Sequence, residues 1–423
     1  MMPPATTVRT SDLVERVGAL FLPPQPAVTG PGRVGVEVEL LPVRRIGHVL
    51  RPVSLPEVEA CLRSDPALRR DGHISFEPGG QLELSPPPAT SVAGCLDALT
   101  ALLGRVRRCG TDSGITFVSA AVSPWHDTDE IGLQNDGPRY STMQAHFDRI
   151  GPAGRAMMRQ TAALQICLDL DAVSDGDHLR WHALNQAAPV LTAMLAASAV
   201  AAGRPTGLRS TRIAIWQSVD ATRTGFDAEH TIGEPVPDYA AFALDATPIP
   251  LPRPADESAP CPPTMREWIA VANGRPDADD IDHHLSTLFP PVRPRGYIET
   301  RFCDALPARW LPVAVCMVAA LCSDERSCRE VIERIPATAR PGVDAWRRCA
   351  AEGPADAELR RAGLELVDVA LTAARRLPVG WLPDGATALI HGFRERFTEA
   401  GRCPADELLD AYRSDPEDPA PWI

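Results

Sequence analysis

The sequence predicts an α+β fold with one curved, mainly antiparallel sheet, flanked by helices and followed by a helical C-terminal third. Two patterns predict this fold. Up to about residue 310, segments in which apolar and polar residues alternate are interspersed with segments of helical periodicity. Beyond Pro307 the chain carries almost only helical patterns, as far as Tyr412. The 423 residues have 44% hydrophobic content, which is enough for one large or two ordinary domains.

The predicted elements alternate in type along the first three quarters of the chain. A short amphipathic helix comes first, around residues 12–21, and the last clear strand is RPRGYIETRFCDAL. The prolines of residues 245–263 exclude regular structure and predict a loop, which is either a lid over a site or a passive surface loop. The other predicted helices are 54–70, 91–109 and 177–202, and the other predicted strand segments are 32–43, 72–85 (a hairpin), 114–125, 157–170 and 209–218.

The charge balance limits the partners of the protein. The chain has 55 acidic and 42 basic residues, which gives a net charge of −13. Because this charge repels polyanions, neither nucleic acid nor an anionic membrane is an expected partner. Every basic residue among these is arginine, so a phosphate group would be bound by arginine, a metal ion or backbone N–H groups. The N-terminus lacks the apolar core of a signal peptide. We therefore expect a cytoplasmic protein that binds small molecules; its oligomeric state stays open, and a monomer is compatible with the sequence.

The hairpin GHISFEPGGQLELS, residues 72–85, sets two carboxylates around a tight turn. Glu77 and Glu83 point to the same face, opposite the apolar side chains. Pro78 and Gly79 suit the two central positions of a type II turn, so the polar faces of the two strands meet across the hairpin. An ordinary hairpin does not need an acidic face, so this one calls for a functional explanation.

Two further strands carry the same feature. Glu37 and Glu39 stand two residues apart in GVEVEL, and Glu299 and Arg301 do so in YIETRF, so each pair points to one side of its strand. If these strands and the hairpin belong to one sheet, five carboxylates line one concavity. Two carboxylates about 4 Å apart repel each other by about 4 kcal/mol at an effective dielectric constant of about 20, so bound cations are expected. Oxygen ligands without cysteine favour Mg²⁺, or Mn²⁺, over zinc.

Metal ions held by glutamates beside an inward-facing arginine are typical of phosphoryl transfer from a nucleotide such as ATP. A simpler interpretation exists for each strand alone, since alternation of valine and glutamate also describes a half-exposed strand. Three such strands together, one of them with the Pro-Gly-Gly turn, favour a site. A glycosidase with paired carboxylates is a further alternative, but it would need an aromatic-rich groove and the aromatic content is only 5%.

The order of these motifs resembles that of glutamate–cysteine ligases of the plant and proteobacterial type. The segments in question are GVEVEL, ISFEPGGQLELS, MMRQTAALQICLDL, RSTRIAIWQSVDATRTG and HLSTLFPPVRPRGYIETRFCDALP, and the similarity runs from about residue 33 to residue 310. It looks closest to the actinobacterial branch that serves ergothioneine synthesis. The resemblance implies a glutamine-synthetase-like catalytic funnel, formed by a catalytic ligase core of residues 31–310. The sequence patterns add an N-terminal segment, residues 1–30, and a helical region packed on the core, residues 311–423.

The resemblance also implies roles for individual residues. Arg301 would contact the transferred phosphoryl group, and Glu299 would hold a metal ion on the nucleotide side, so both are expected at the catalytic step. Arg212 would bind glutamate, with Trp216 and Arg223 near it in sequence. The metal ligands that the resemblance implies are Glu37, Glu39, Glu77, Glu83, Gln165 and Glu299.

The implied reaction joins the γ-carboxylate of glutamate to the amine of L-cysteine through γ-glutamyl phosphate. It consumes ATP with Mg²⁺ and gives γ-glutamylcysteine, ADP and phosphate, for ergothioneine biosynthesis. Two positions depart from the family pattern, because related enzymes carry an arginine near Gln160 and an asparagine near Cys167. Two alternatives stay open: a ligase that joins glutamate to a different amine, and a catalytically idle binding subunit.

Overall fold

A computed structural model describes residues 8–23, 30–68, 73–170, 178–225, 233–253, 262–271 and 276–423. Residues 254–261, in the middle of the predicted proline-rich loop, lie outside this part of the chain, so the loop's role stays a prediction. The strands are β1 (Val34–Ile46), β2 (Val49–Pro52), β3 (His73–Phe76), β4 (Leu82–Ser85), β5 (Thr116–Val118), β6 (Ala163–Asp169), β7 (Val200–Ala201), β8 (Arg204–Pro205), β9 (Val292–Pro294) and β10 (Tyr297–Asp304).

Helices lie between the strands and make up the C-terminal third. They are α1 (Thr10–Leu20), α2 (Leu55–Leu62), α3 (Val92–Ser113), α4 (Thr128–Ile131), α5 (Pro138–Asp148), α6 (Ala153–Gln160), α7 (Leu179–Leu195), α8 (Thr211–Gln217), α9 (Ala221–Thr224), α10 (Pro235–Asp245), α11 (Met265–Val271), α12 (Ala278–Ser286), α13 (Leu311–Leu321), α14 (Glu325–Arg334), α15 (Val343–Glu352), α16 (Ala357–Ala374), α17 (Ala386–Phe393) and α18 (Pro404–Ser414). A π-helical turn, Arg394–Thr398, follows α17 directly.

One antiparallel sheet brings the three acidic segments together. Its strand order is β3-β4-β1-β6-β10-β9, and β2 and β5 pair with the second half of β1. Every pair along this path is antiparallel. The hairpin, GVEVEL and YIETRF therefore share one sheet, and the predicted α+β class with a mainly antiparallel sheet is confirmed. The C-terminal third is helical, also as predicted.

The alternation in β1 explains why the sheet has one apolar and one polar face. Val36, Val38 and Leu40 are buried in the main core, whereas Glu37 and Glu39 point the other way. Helix α3 packs against β1 and β4, α13 against β6 and α7 against β10, and α14, α15 and α16 pack against α7 in turn. Because these helices cover the apolar face, the carboxylates are left on the face that is free to form a site.

The segment 209–218 is a helix and not the predicted strand. Its isoleucines and tryptophan favour a strand by propensity, but Ser210 caps α8: its Oγ accepts a hydrogen bond from the N–H of Ile213 at 3.2 Å. The helical geometry places Arg212 and Trp216 four residues apart on one side of α8. The guanidinium carbon of Arg212 consequently lies 5.1 Å from the ring centroid of Trp216.

Three smaller corrections concern where elements begin and end. Segment 157–170 divides into the end of α6 and strand β6, and the helix predicted at 177–202 is α7, which ends at Leu195. In the hairpin turn the positive φ falls on Gly80 (82°) and not on Gly79. The N–H of Gly80 donates to the carbonyl of Glu77 at 2.9 Å. The left-handed residue thus follows the turn, as in three-residue hairpin loops, instead of lying inside a type II turn.

Among the helices of the described residues, none is both long and apolar enough to cross a bilayer.

Candidate active site

The polar face of the sheet forms one wall of a cavity of about 600 Å³. Strands β1, β4, β6, β9 and β10 supply that wall, and residues of α1, α5, α6, α8 and α12 complete the lining. Most of the residues predicted for the site from the sequence meet here: Glu37, Glu39, Glu77, Glu83, Gln165, Arg212, Trp216, Glu299 and Arg301 all line the cavity. Their roles stay predictions, but their placement in one cavity is a finding of the structure.

Three glutamates, Glu39, Glu77 and Glu83, form an acidic centre in this cavity. Strand pairing sets Glu39 directly opposite Glu83, and one carboxylate oxygen of each of the three lies within 4.8 Å of the others. The N–H of Ala163 donates to Glu39 Oε2 at 2.8 Å, and Ser75 Oγ donates to Glu83 Oε1 at 2.6 Å. These two donors hold the carboxylates in place but do not neutralise them.

Burial and mutual repulsion disfavour the ionised form of these acids. Burial raises the pKa of Glu39 to about 7, and the charge of Glu83 adds to the rise. Burial, followed by the charges of Glu83 and Glu299, raises the pKa of Glu37 to about 7. The pKa of Glu77 is raised well above its ordinary value by burial and by Glu39 and Glu83. A bound cation would reverse these shifts, because it favours the ionised carboxylates.

The acidic centre fits a hard divalent cation such as Mg²⁺. Glu39, Glu77 and Glu83 would hold the ion, and Glu37 lies on the same strand face. Gln165 is next to them, since its Nε2 donates to Glu39 Oε1 at 3.3 Å. The described residues that line the cavity include neither histidine nor cysteine. An all-oxygen donor set of this kind suits Mg²⁺ or Mn²⁺ and not zinc.

The stability of the protein without metal is expected to fall as pH rises from about 5 to 8. The folded-state pKa of Glu37 and of Glu39, about 7 each, exceeds the ordinary value of 4.5, so the folded state binds more protons in this range. Mg²⁺ should flatten the slope because it binds the ionised centre. Chemical unfolding at several pH values, with EDTA or with Mg²⁺, measures both slopes. Equal slopes would contradict a metal-binding acidic centre.

Glu299 lies in a different environment, a cluster of arginines. Arg293 donates from Nε and Nη2 to both of its oxygens, at 2.8 and 3.1 Å, and Arg301 Nη1 donates at 2.8 Å. Arg295 lies 3.5 Å away. Burial alone would raise the pKa of Glu299, but Arg293 and Arg301 outweigh it and lower the pKa to about 2. The carboxylate is thus ionised, and its oxygens contact arginines here; its predicted role as a metal ligand stays a prediction.

Arg301 connects the arginine cluster to the acidic centre. Its Nη1 donates to Glu299 Oε2 and to Gln165 Oε1, each at 2.8 Å. Its Nε is buried and has no hydrogen-bond partner among the described residues. Burial opposes the charge of Arg301, but the contact with Glu299 raises its pKa above the ordinary value. The guanidinium is therefore a permanent cation with a free donor at the cavity wall.

Arg212 is a second buried cation of the cavity wall, and two of its donors have no partner among the described residues. Its side chain is only 1% exposed. One nitrogen, Nη2, donates to the carbonyl of Arg301 at 2.9 Å, whereas Nε and Nη1 have no hydrogen-bond partner within the described part of the chain. The guanidinium carbon lies over the Trp216 ring in a cation–π contact, and Trp216 Nε1 donates to the carbonyl of Phe289 at 3.0 Å. Buried donors of this kind are normally satisfied by a ligand, an ion or an ordered water.

Arg223 is the exception among the predicted residues, because it does not line the cavity. Its side chain is fully buried, and Nε donates to Asp220 Oδ2 at 2.9 Å. Nη1 donates to the carbonyl of Thr287 at 2.7 Å, and Nη2 donates to the carbonyl of Thr247. With every nitrogen engaged, this arginine ties α9 to the segments behind the cavity. The structure thus places its nitrogens outside the cavity lining, and its role toward the substrate stays a prediction that the geometry does not support.

Substitution of Arg223 by methionine is expected to cost about 3–5 kcal/mol of stability, because it leaves Asp220 buried without its cation. For the ligase reaction that the motifs imply, the folded fraction should keep its kcat and its KM for glutamate within about twofold, since the side chain does not line the cavity. Arg155→Met, at a surface ion pair with Asp148, is the control and should change neither stability nor rate. Thermal unfolding and initial rates check this. If the Arg223→Met variant has normal stability and a raised KM for glutamate, the result would support the predicted contact between Arg223 and the substrate.

The sequence did not identify several residues of the cavity wall. Arg293 and Arg295 stand next to the YIETRF motif and share its strand face, so the alternation of β9 and β10 could have revealed them. No pattern pointed to Arg139 and Tyr140 of α5. Tyr140 lines the same cavity as the acidic centre, and burial, with the charge of Glu77 added, raises the pKa of its phenol to about 12. Helix α1 also reaches the wall through Arg16.

The sequence of this chain is similar to those of known glutamate–cysteine ligases. Residues 33–419 match the sequence profile of the glutamate–cysteine ligase family 2 (GCS2). The glutamate–cysteine ligase EgtA of Mycolicibacterium smegmatis is 33% identical over 391 residues, which cover 90% of this chain and 87% of that protein. The chloroplastic glutamate–cysteine ligase of Medicago truncatula is 30% identical over 269 residues, 62% of this chain and 52% of the relative.

A solved structure shares the fold. The glutamate–cysteine ligase of Francisella tularensis, in complex with AMP, superposes with a TM-score of 0.50 over 92% of this chain and 86% of that one, at 13% identity. The family profile and the named relatives define the class of this protein, which is a ligase. The chain belongs to glutamate–cysteine ligase family 2, as its sequence motifs suggested.

Proposed function

We propose that this protein joins L-glutamate to L-cysteine, with ATP consumed, to give γ-glutamylcysteine, ADP and phosphate. Family membership supports the reaction, since its relatives bear the name glutamate–cysteine ligase. The observation that carries the proposal is the composition of one cavity, in which an acidic centre, an arginine cluster and a buried arginine with free donors face each other. These are the groups needed for a metal–nucleotide, for a moving phosphoryl group and for an amino-acid carboxylate.

Glutamate would bind by its α-carboxylate at the guanidinium of Arg212, which lines the cavity and keeps donors without a hydrogen-bond partner among the described residues. A guanidinium buried to this degree makes stronger charge-assisted hydrogen bonds than one in water. Trp216 contacts the same guanidinium, and because Arg212 and the acidic centre line one cavity, the γ-carboxylate at the other end of the substrate would point to the acidic centre. The cavity of about 600 Å³ is within the size range of ligand sites and has room for extended small molecules.

In the first step, an oxygen of the glutamate γ-carboxylate attacks the γ-phosphorus of ATP, and ADP leaves. Arg301 contacts the transferring phosphoryl group through its free donor, and its ion pair with Glu299 keeps the guanidinium in position. Mg²⁺, or Mn²⁺, held by Glu39, Glu77 and Glu83 would neutralise phosphate charge. The arginine cluster around Glu299 adds positive charge on the same side of the cavity.

In the second step, the amine of cysteine attacks the carbonyl of γ-glutamyl phosphate, and phosphate leaves as the peptide bond forms. No protein nucleophile is needed, which agrees with a cavity whose described lining contains no cysteine. Met157, Met158 and Phe289 belong to an apolar cluster on the wall that faces the carboxylates. An apolar wall next to the acyl phosphate limits the access of water and so its hydrolysis.

The cellular role that we propose is the supply of γ-glutamylcysteine for ergothioneine biosynthesis. The support is the resemblance to the actinobacterial branch and the similarity to EgtA of Mycolicibacterium smegmatis along 90% of the chain. Inactivation of the gene should lower cellular ergothioneine, and added γ-glutamylcysteine should restore it. Normal ergothioneine in the inactivated strain would contradict the role.

The reaction is tested by phosphate release from ATP with Mg²⁺ and glutamate, with and without cysteine, with the product identified by mass. Cysteine-dependent release matched by γ-glutamylcysteine is expected. Each competing amine is then offered in place of cysteine. Release with another amine alone would keep the mechanism and change the acceptor, whereas no release with any amine would indicate a catalytically idle subunit.

A further inference from the structure

A buried carboxylate at the end of β10, Asp304, lies behind the cavity and does not contribute to its lining. The residue is only 2% exposed. Its Oδ2 accepts hydrogen bonds from Ser198 Oγ at 2.7 Å and from the N–H of Ala197 at 2.9 Å. Its Oδ1 accepts from Ser210 Oγ at 3.0 Å. Both oxygens are thus held in a single orientation by three donors.

The two serines extend this network to the first turn of α8. Ser198 Oγ accepts from the N–H of Arg212 at 3.1 Å, and Ser210 Oγ accepts from the N–H of Ile213 at 3.2 Å. Each hydroxyl therefore accepts a hydrogen bond from a backbone N–H of α8 and donates a hydrogen bond to Asp304. The position of α8 relative to β10 depends on this carboxylate.

Asp304 also supplies the charge that faces Arg212 from behind. Arg212 Nη1 lies 3.9 Å from Asp304 Oδ1, and both side chains are only 1% exposed. Burial lowers the pKa of Arg212, and Asp304 is the largest influence that opposes this. The separation is too long for a hydrogen bond, so Asp304 compensates the charge of Arg212 without using its donors. Neither Nε nor Nη1 of Arg212 is taken up by a hydrogen bond among the described residues.

We propose that Asp304 is a positioning residue of the glutamate site, which fixes the place of Arg212 through two serines and balances its charge. Asp304 touches no substrate; it acts only through Arg212. The inference rests on the proposed function, because it assumes that Arg212 binds the substrate carboxylate. It extends the site beyond the cavity wall to Asp304, Ser198 and Ser210.

The test is a double-mutant cycle of Asp304→Asn and Arg212→Ala, with KM for glutamate, KM for ATP and kcat measured for each variant. Asp304→Asn should raise KM for glutamate roughly tenfold to a hundredfold, which is the usual effect of losing a residue that orients a ligating group. The KM for ATP should stay within about threefold of the wild-type value. The double variant should bind glutamate no worse than Arg212→Ala alone, because the two changes remove one interaction. Additive effects on KM would overturn the proposal.

A merely structural role would give a different result. Loss of packing alone would lower stability and change both KM values together, whereas the proposal requires a change confined to glutamate. Asp169→Asn is the matched control: it removes a carboxylate from an ion pair with Arg33, outside the cavity lining, and should leave both KM values unchanged. If Asp304→Asn does not fold, Ser198→Ala tests the same network. It keeps the charge, removes two hydrogen bonds and should raise KM for glutamate by roughly threefold to tenfold; an unchanged KM would overturn the proposal.

The failure of this inference can be told from a failure of the proposed function. If Arg212→Ala itself binds glutamate normally, the glutamate site has been wrongly placed and the proposed function must be revised. If Arg212→Ala loses glutamate binding while Asp304→Asn retains it, the proposed function stands and only the role of Asp304 is wrong.

Discussion

Replacement of Arg301 by alanine is expected to lower kcat by about three orders of magnitude, with KM for ATP changed only a few-fold. Arginines that contact a transferring phosphoryl group act mainly in the transition state, so their loss appears in kcat. The fold should survive the change. Glu299 keeps its two hydrogen bonds from Arg293 and its ion pair with Arg295, so it is not left as an unpaired buried charge.

Initial rates at saturating ATP and glutamate, together with thermal unfolding, measure the effect of Arg301→Ala. Arg301→Lys should recover only part of the rate, because an ammonium group keeps the charge but loses the planar set of donors. Arg155→Ala, at a surface ion pair with Asp148, controls for the loss of one cation and should have a normal rate. A kcat within tenfold of the wild type would remove Arg301 from the phosphoryl site.

Glu83→Gln is expected to abolish most activity and yet to stabilise the protein when metal is absent. Glu83 raises the pKa of both Glu39 and Glu77, so a neutral side chain relieves repulsion within the acidic centre. The amide oxygen can still accept the hydrogen bond from Ser75 Oγ. We expect a gain of about 1 kcal/mol without metal, and a loss of at least about two orders of magnitude in kcat with Mg²⁺.

The stabilisation by Mg²⁺ separates this explanation from a simple change of packing. A ligand that binds the folded state raises stability with its concentration, so wild-type protein should gain stability with added Mg²⁺ and Glu83→Gln should gain much less. Glu365→Gln, at a surface ion pair of α16, is the control and should respond to Mg²⁺ as the wild type does. An equal response of Glu83→Gln and wild type would show that Glu83 is not a ligand.

The sheet and its acidic face could be predicted from the sequence because strand periodicity is local and strong. Glu37 and Glu39 alternate with valines, and that pattern alone fixes which side of β1 is polar. The juxtaposition of Glu39 and Glu83 followed once the hairpin was placed in the same sheet. The polar face of the sheet could be predicted because, in a strand, residues two positions apart lie on the same face.

The parts of the site that depend on tertiary contacts could not be predicted in the same way. Segment 209–218 has strand-forming residues, and only the cap at Ser210 and the network behind it make α8 a helix. Arg139 and Arg16 have no motif around them, because their place in the cavity is decided by the packing of α5 and α1. Arg223 has the residue type expected of a substrate contact, but Asp220 and Thr287 engage its donors.

The formation of γ-glutamyl phosphate is tested most directly by isotopic labelling of the γ-carboxylate oxygens of glutamate. Glutamate labelled with ¹⁸O in its γ-carboxylate is incubated with ATP, Mg²⁺ and cysteine, and the released phosphate is examined by mass spectrometry. Activation of the γ-carboxylate by phosphorylation predicts that one labelled oxygen appears in each phosphate released, with the other retained in γ-glutamylcysteine. Peptide formation with unlabelled phosphate would contradict γ-glutamyl phosphate as the intermediate formed in this cavity.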